Sequence, residues 1–335
     1  MKNSIITMML SVLLLSSCEK ILEYPTDDQN RLTVCAVAVT GQSLEVHVST
    51  SLSIDQVPNF YDRGYEAFIR DSRAFYDEYS LVKDATVELS VNGVHTCNLT
   101  YHPDSLTYRC DYVPRAGETL TLTITAEGYP QAQCTTTVPK TAVDIKDIDY
   151  EVYYDKAASF AEREEANWGL DWDQYGADSI MTISFSFKEP MGEKNYYRLN
   201  VRSAGMYISL LSKKPGYTAC DVYTSSDPIF YDIDLKKGYG SWPAFFSNVF
   251  DDHLIDGKDY RVTVNSRKRL DLETFTIIQL QSISSDLYYF LKAYQAYRVS
   301  GSDIYEAPVW IYSNVTNGWG YFGAINNEHT HTIYR

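Results

Sequence analysis

Apolar and polar residues alternate one for one in run after run of this chain. Leu120-Thr-Leu-Thr-Ile-Thr-Ala is the cleanest case, and Ser179-Ile-Met-Thr-Ile-Ser-Phe-Ser-Phe and Leu44-Glu-Val-His-Val-Ser repeat it. Successive side chains of a strand point to opposite faces, so a period of two buries one face only if the segment is extended. The expected fold is therefore mainly β. Leu32 to Val39 reads as a first strand, and Ala85 to Val91 runs into Asn92-Gly93, a strong tight-turn signal. Strands around Cys97 and Cys110 follow, then Leu120 to Ala126 and Cys134 to Val138. Some seven short strands separated by turn residues suggest an immunoglobulin-like β-sandwich over residues 31–140.

Pro139 to Asp144 reads as a junction, and 141–335 as a second β-rich, sandwich-like domain. Its strands are expected at Asp147 to Tyr154, Ser179 to Phe187, Tyr260 to Val264 and Thr274 to Gln281, with Tyr196 to Arg202 as the hairpin partner of Ser179 to Phe187. One helix stands out near the C-terminus. Ser284 or Ser285 can cap it, and Asp286 sits in the positive first turn. Leu287, Phe290, Leu291, Tyr294 and Tyr297 or Arg298 recur at helical spacing, and Ser300-Gly301 ends it. That stripe is read as core packing rather than a cofactor box.

Two aromatic-rich stretches interrupt the strands. Residues 58–79 carry Phe60, Tyr61, Tyr65, Tyr76 and Tyr79, and residues 157–176 carry Trp168, Trp172 and Tyr175. Long connections of this kind are commonly functional, and aromatic anchors dominate binding energy. These eight residues are the expected contact surface. The chain's 29 tyrosines fit both a binding role and strand propensity.

The N-terminus reads as a targeting segment. Lys2 precedes a short apolar run from Ile5 to Leu15, too short to cross a bilayer, and Leu15-Ser16-Ser17-Cys18 follows. This resembles a bacterial lipobox. It implies cleavage after residue 17, lipid on Cys18, and a polar tether over 18–30. Acidic Glu19, Glu23, Asp27 and Asp28 resemble signals that send such lipoproteins to the cell surface.

Export permits disulfides. Cys97 and Cys110 flank a turn at His102-Pro103-Asp104-Ser105, and Cys35 and Cys134 sit in the first and last strands of the same expected domain, so both pairs are candidates. Cys220 is left odd, and no C-x-x-C motif occurs. A formal charge of −15 argues against nucleic acid as a partner.

No G-x-S-x-G, P-loop, H-E-x-x-H or G-x-G-x-x-G appears. No catalytic residue, metal ligand set or cofactor is therefore assigned. His329 and His331 could share one strand face but lack an evident third ligand. Asp251, Asp252, Asp256 and Gly257 read as a turn rather than a calcium loop. Asp104-Ser105-Leu106 and Asp178-Ser179-Ile180 resemble D-S/T-aliphatic glycosylation sites.

The C-terminal half resembles a known family. Glu189-Pro-Met-Gly-Glu-Lys-Asn195-Tyr-Tyr-Arg-Leu199 is similar to its D-P-x-G-x-x-N-Y-Y-R-L segment. Phe245-Phe-Ser-Asn-Val-Phe-Asp-Asp252 with Ile255-Asp-Gly257 is similar to its S-D-x-x-F-D-G segment, although Asn248 replaces Asp and the spacing before Gly257 differs. Ser282 to Tyr297 matches its helix, and Pro308 to Ala324 its closing P-V-x-x-x-S-N-x-x-x-G-x-G-x-F-G-A signature. The resemblance is to the Bacteroidetes lipoprotein domain of unknown function forty-two forty-nine. It implies an outer-membrane lipoprotein beside a TonB-dependent receptor and brings no catalytic residue.

The expected function is thus a lipid-anchored accessory that binds a ligand or a TonB-dependent transporter. Alternatives are a structural or fimbria-like envelope component and, behind both, a surface hydrolase.

Overall fold

The computed structural model describes residues 30–51, 80–154, 178–208, 215–220, 223–238, 243–269, 274–300, 309–326 and 329–334. The lipobox, Cys18 and the eight aromatic residues expected to form the contact surface lie outside them.

The protein is mainly β, with one α-helix near the C-terminus. In the first half, β1 (Leu32–Val39), β2 (Glu45–Thr50), β3 (Thr86–Val91), β4 (Val94–His102), β5 (Thr107–Arg109), β6 (Thr119–Thr125) and β7 (Ala132–Thr137) follow one another. Asn92 and Gly93 turn β3 into β4 with φ of 51° and 81°, the mirror-image turn that the Asn-Gly pair favours. The second half holds β8 (Ile145–Tyr154), β9 (Asp178–Lys188), β10 (Tyr196–Ile208), β11 (Pro215–Cys220), β12 (Tyr223–Thr224), β13 (Val249–Asp251), β14 (Asp259–Arg269) and β15 (Thr274–Ile283). Helix α1 (Ser285–Ser300), β16 (Val315–Thr316), β17 (Gly318–Asn326) and β18 (His331–Tyr334) close the chain.

A large curled sheet runs in the order β11-β10-β15-β17-β1-β2-β5-β4-β3-β6-β7-β16. Its hinge is β17, which lies parallel to β1 from Leu32↔Gly318 to Val39↔Ile325 and antiparallel to β15. Because β16 pairs with β7 and leads straight into β17, the first-half strands curl around a core of Val34, Leu89, Leu122, Cys134 and Phe322. Residues Arg31–Arg335 therefore hold together as one compact unit.

Glycine makes the β1–β17 contact possible. Gly320 has φ +103°, and a Cβ there would stand 2.0 Å from the Val34 carbonyl oxygen. The asparagines of the same closing segment staple it down. Asn314 donates to the carbonyls of Thr135 and Phe322 and accepts from the Phe322 N–H, and Asn326 donates to the Pro139 carbonyl.

A second sheet, β12-β14-β9-β8, shares a separate core with the β10–β15 part of the large sheet. Met181, Ile183, Phe185 and Phe187 of β9 meet Tyr197, Leu199 and Val201 of β10 there. This corrects one expectation. β9 and β10 are not a hairpin, because β9 pairs with β14 and β8 while β10 pairs with β15, β11 and β13. The connector 189–195 carries the chain from one sheet across the shared core to the other.

Candidate functional site

That connector is pinned by a buried carboxylate. Glu189 is fully inaccessible to solvent, and its two oxygens accept from Asn195 Nδ2 at 2.8 Å, the Tyr197 hydroxyl at 3.2 Å and the Gly257 N–H at 2.7 Å. Burial pushes the Tyr197 phenol far above its usual range, and the neighbouring Glu189 charge adds to the rise. Beside it, Asp252 accepts from the Asn195 N–H at 2.6 Å and from Lys194 Nζ at 2.7 Å, and Asp256 accepts from the Gly192 N–H at 2.9 Å. The Asp-rich turn at 251–257 thus spends its oxygens on peptide N–H groups and Lys194. Burial would push the Asp251 carboxyl up, but hydrogen bonds from His253 and Lys194 outweigh it and hold the group below 3.8.

With the corner fixed, the period of two decides what β10 shows to each side. Tyr197, Leu199 and Val201 enter the core shared with β9. Tyr196 and Arg198 face the other way, toward α1. There Tyr196 packs on Tyr288 at 4.6 Å between ring centroids, and burial, with the Tyr289 hydroxyl next, pushes its phenol up to about 12.

Helix α1 begins at Ser284, whose Oγ accepts from the Leu287 N–H at 3.3 Å, three residues on, as an N-cap does. The same oxygen accepts from the Ala324 N–H and from Thr136, so the cap also docks the helix on the large sheet. The helical stripe then divides. Leu287 and Tyr288 are buried, and Phe290 stacks on Tyr321 with centroids 3.7 Å apart. Further along, Tyr294 and Tyr297 are exposed. The expected continuous core stripe holds for the first turns only, because the sheet beneath the last turns gives way to a cavity.

The cavity has a volume of about 180 Å³. Its floor is apolar, with Leu235, Pro243, Phe246, Leu291 and Val299. Gln295 ties the helix to the segment just before β13: its amide donates to Asn248 Oδ1, and its oxygen accepts from the Ser247 hydroxyl at 2.9 Å. The charged groups are Arg198, Lys237 and Arg298, with no carboxylate among the described lining residues. Arg298 already donates to the Tyr294 hydroxyl at 2.9 Å. One turn away the chemistry differs: Lys292 is ion-paired with buried Asp232 at 3.0 Å. That pair borders a wider cleft of about 650 Å³ beside Trp310, which is 85% exposed.

Besides the Leu235–Lys237 stretch, three separate segments line this cavity: the NYYR run through Arg198, the FFSN run through Phe246 and Asn248, and the helix through Leu291 to Arg298. Each of these three carries the family resemblance. The sequence reading placed its site on the aromatic insertions and missed the cavity. The available signal was that all three motif segments hold a polar or cationic residue inside an apolar run.

Other candidate residues fall as follows. Cys35, Cys97, Cys110 and Cys134 are free thiols. The structure brings Cys97 and Cys110 together: burial, with the neighbouring Cys110 next, raises the Cys97 thiol to about 12. Cys134 is buried in the first-half core, whereas Cys35 points to the opposite face of β1 from core-facing Val34 and Ala36, so those two are not brought together. His331 bonds Asp144 at 3.1 Å, and His329 stands 3.9 Å from the same oxygen. Asp144 is thus a third neighbour that spacing did not reveal, yet no described cluster of three such residues is arranged to hold a metal. No described helix is long and apolar enough to cross a membrane.

Fold and site define a β-rich protein in which one helix backs a curled sheet and encloses a small cation-bearing cavity. The chain belongs to the family described as domain of unknown function (DUF4249), whose profile matches residues 19–331. No curated protein matches it.

Proposed function

We propose that this chain is a binding lipoprotein, anchored by lipid on Cys18 to the outer membrane and serving a TonB-dependent transporter as an accessory in nutrient capture. The observation that carries the reading is the cavity under α1. Three motif segments from distant parts of the chain converge on it, and the Glu189 corner and the Ser284 cap hold its walls in place. Concave sites with an apolar floor and a few placed polar groups are typical of small-ligand binding.

In this reading the first half is an immunoglobulin-like sandwich, and the second half is sandwich-like around the core shared by β9 and β10. Oxidation on export would join the neighbouring Cys97 and Cys110 thiols as a disulfide. The aromatic stretches at 60–79 and 168–175 are the docking surface for the transporter, with Trp168 and Trp172 as anchors.

Co-purification from native membranes in mild detergent tests the proposal, with mass spectrometry of bound proteins and small molecules. The expected result is a mature chain beginning at Cys18 together with a transporter that Trp168→Ala/Trp172→Ala loses while folding normally. Recovery of the double variant with an undiminished transporter band would reject the docking surface. Absence of any transporter from the wild-type preparation would reject the accessory role.

A further inference from the structure

The polar side chains around the α1 cavity are turned toward the protein. Gln295 donates through its amide to Asn248 Oδ1 and accepts from the Ser247 hydroxyl, and both partners are buried. Arg298 donates to the Tyr294 hydroxyl, and Arg198 and Lys237 are engaged within the protein too. What the cavity offers a ligand is its apolar surface: Leu235, Pro243, Phe246, Leu291 and Val299. The wider cleft next to it differs, since Asp232, Asp234, Lys236 and Lys292 are among its walls.

Volume sets the size of that ligand. A cavity of about 150 Å³ lined by aliphatic and aromatic groups admits benzene. At about 180 Å³, with Leu235, Phe246 and Leu291 in its floor, this one has room for a single ring or a branched chain of similar bulk. Charge then decides its class. An anion would have to draw the arginines or Lys237 away from interactions they already make, and a buried group that loses its partner opposes binding. A cation would meet three like charges and no carboxylate among the described lining residues. Either ion would also give up its hydration against the apolar floor, which a neutral molecule does not.

We infer that the α1 cavity binds a small neutral apolar molecule, or the apolar ring-sized end of a larger one, seated on the Leu235–Phe246–Leu291 floor. This rests on the cavity being the ligand site of the proposed binding function and adds the chemical class of the ligand. Buried apolar area supplies the affinity, and the engaged polar groups serve to hold the walls apart. Val299, half-buried in the last turn of the helix, borders both the cavity and the wider cleft, so the cavity opens beside it.

Calorimetric titration of the whole chain with toluene, benzoate and benzylamine tests it, each corrected for a protein-free blank. The three probes share a ring and differ in charge. The expected result is that toluene binds about tenfold or more tighter than either ion, the penalty for burying an uncompensated charge. Val299→Phe narrows the cavity and should weaken toluene binding about tenfold, since the added ring takes the space of the ligand. Should that variant not fold, Val299→Leu adds one methylene at the same place and should weaken binding to a smaller extent. Benzoate or benzylamine binding within tenfold of toluene, or more tightly, would overturn the inference and leave the cavity standing as a ligand site. Toluene binding unchanged in the folded Val299 variant would place the probe elsewhere and also overturn it. No binding by any of the three probes would overturn both the inference and the reading of the cavity as a ligand site.

Discussion

Replacing Glu189 by Gln asks whether the corner between β9 and β10 is held by charge or by shape. The carboxylate is fully buried and accepts three hydrogen bonds, two on one oxygen and one on the other. Gln has a single oxygen. If that oxygen stays with Asn195 and Tyr197, the new NH2 faces the Gly257 N–H, and two donors meet. The loss is one charge-assisted hydrogen bond, roughly 1.5–3 kcal/mol, and one unsatisfied buried N–H, roughly 1–3 kcal/mol. A buried amide is cheaper to desolvate than a carboxylate, which offsets part of the loss and leaves about 3 kcal/mol. With an unfolding entropy of about 2.1 cal/mol/K per residue, the compact unit should melt about 5 °C lower. Glu189→Ala removes every acceptor and opens a void, for a loss of about 5 kcal/mol and about 8 °C. Circular-dichroism melts measure both. A double-mutant cycle with Tyr197→Phe should show coupling, since the two groups share a hydrogen bond. If both single variants melt within about 1 °C of the wild type, the corner is not held as described.

Three further outcomes are expected. Gly320→Ala should be among the most damaging single changes: it would put a methyl group 2.0 Å from the Val34 carbonyl oxygen at φ +103°, and a soluble product with an unchanged melting temperature would contradict the β1–β17 geometry. Ser284→Ala should cost about 1–3 kcal/mol, more than an exposed cap, because the Ala324 N–H is left buried without its acceptor, and this can be read from urea midpoints. Asp251 is held below its ordinary value, so the folded state binds its proton less readily than the unfolded chain. Its contribution is present above about pH 4 and is lost as pH falls through the lowered folded value, so Asp251→Asn should flatten the acid limb of the stability profile and leave the neutral plateau shape unchanged.

Much of the local structure was legible in the residues. Alternation located the strands and Asn92-Gly93 the turn, and serine followed by an acidic first turn marked the helix start, because each depends on neighbours within a few positions. The family motifs were legible too, though not their purpose. The glycines and asparagines of 308–324 read only as the family's closing signature, and in the fold they let β17 lie against β1 and staple it there.

Pairing between distant segments had to come from the tertiary structure. A period of two says which face of a strand is buried but not which strand lies beside it. The β9–β10 hairpin was therefore a reasonable expectation from sequence distance, and it failed because a buried carboxylate turned the connector between two sheets. The cavity was hidden for the same reason. Arg198, Asn248 and Gln295 are polar residues in apolar runs, and only the packing of α1 over β10 converts three such local exceptions into one place. By itself the sequence determined that this chain is strand-built, helix-ended and a member of its family; the fold decided that its exceptions meet.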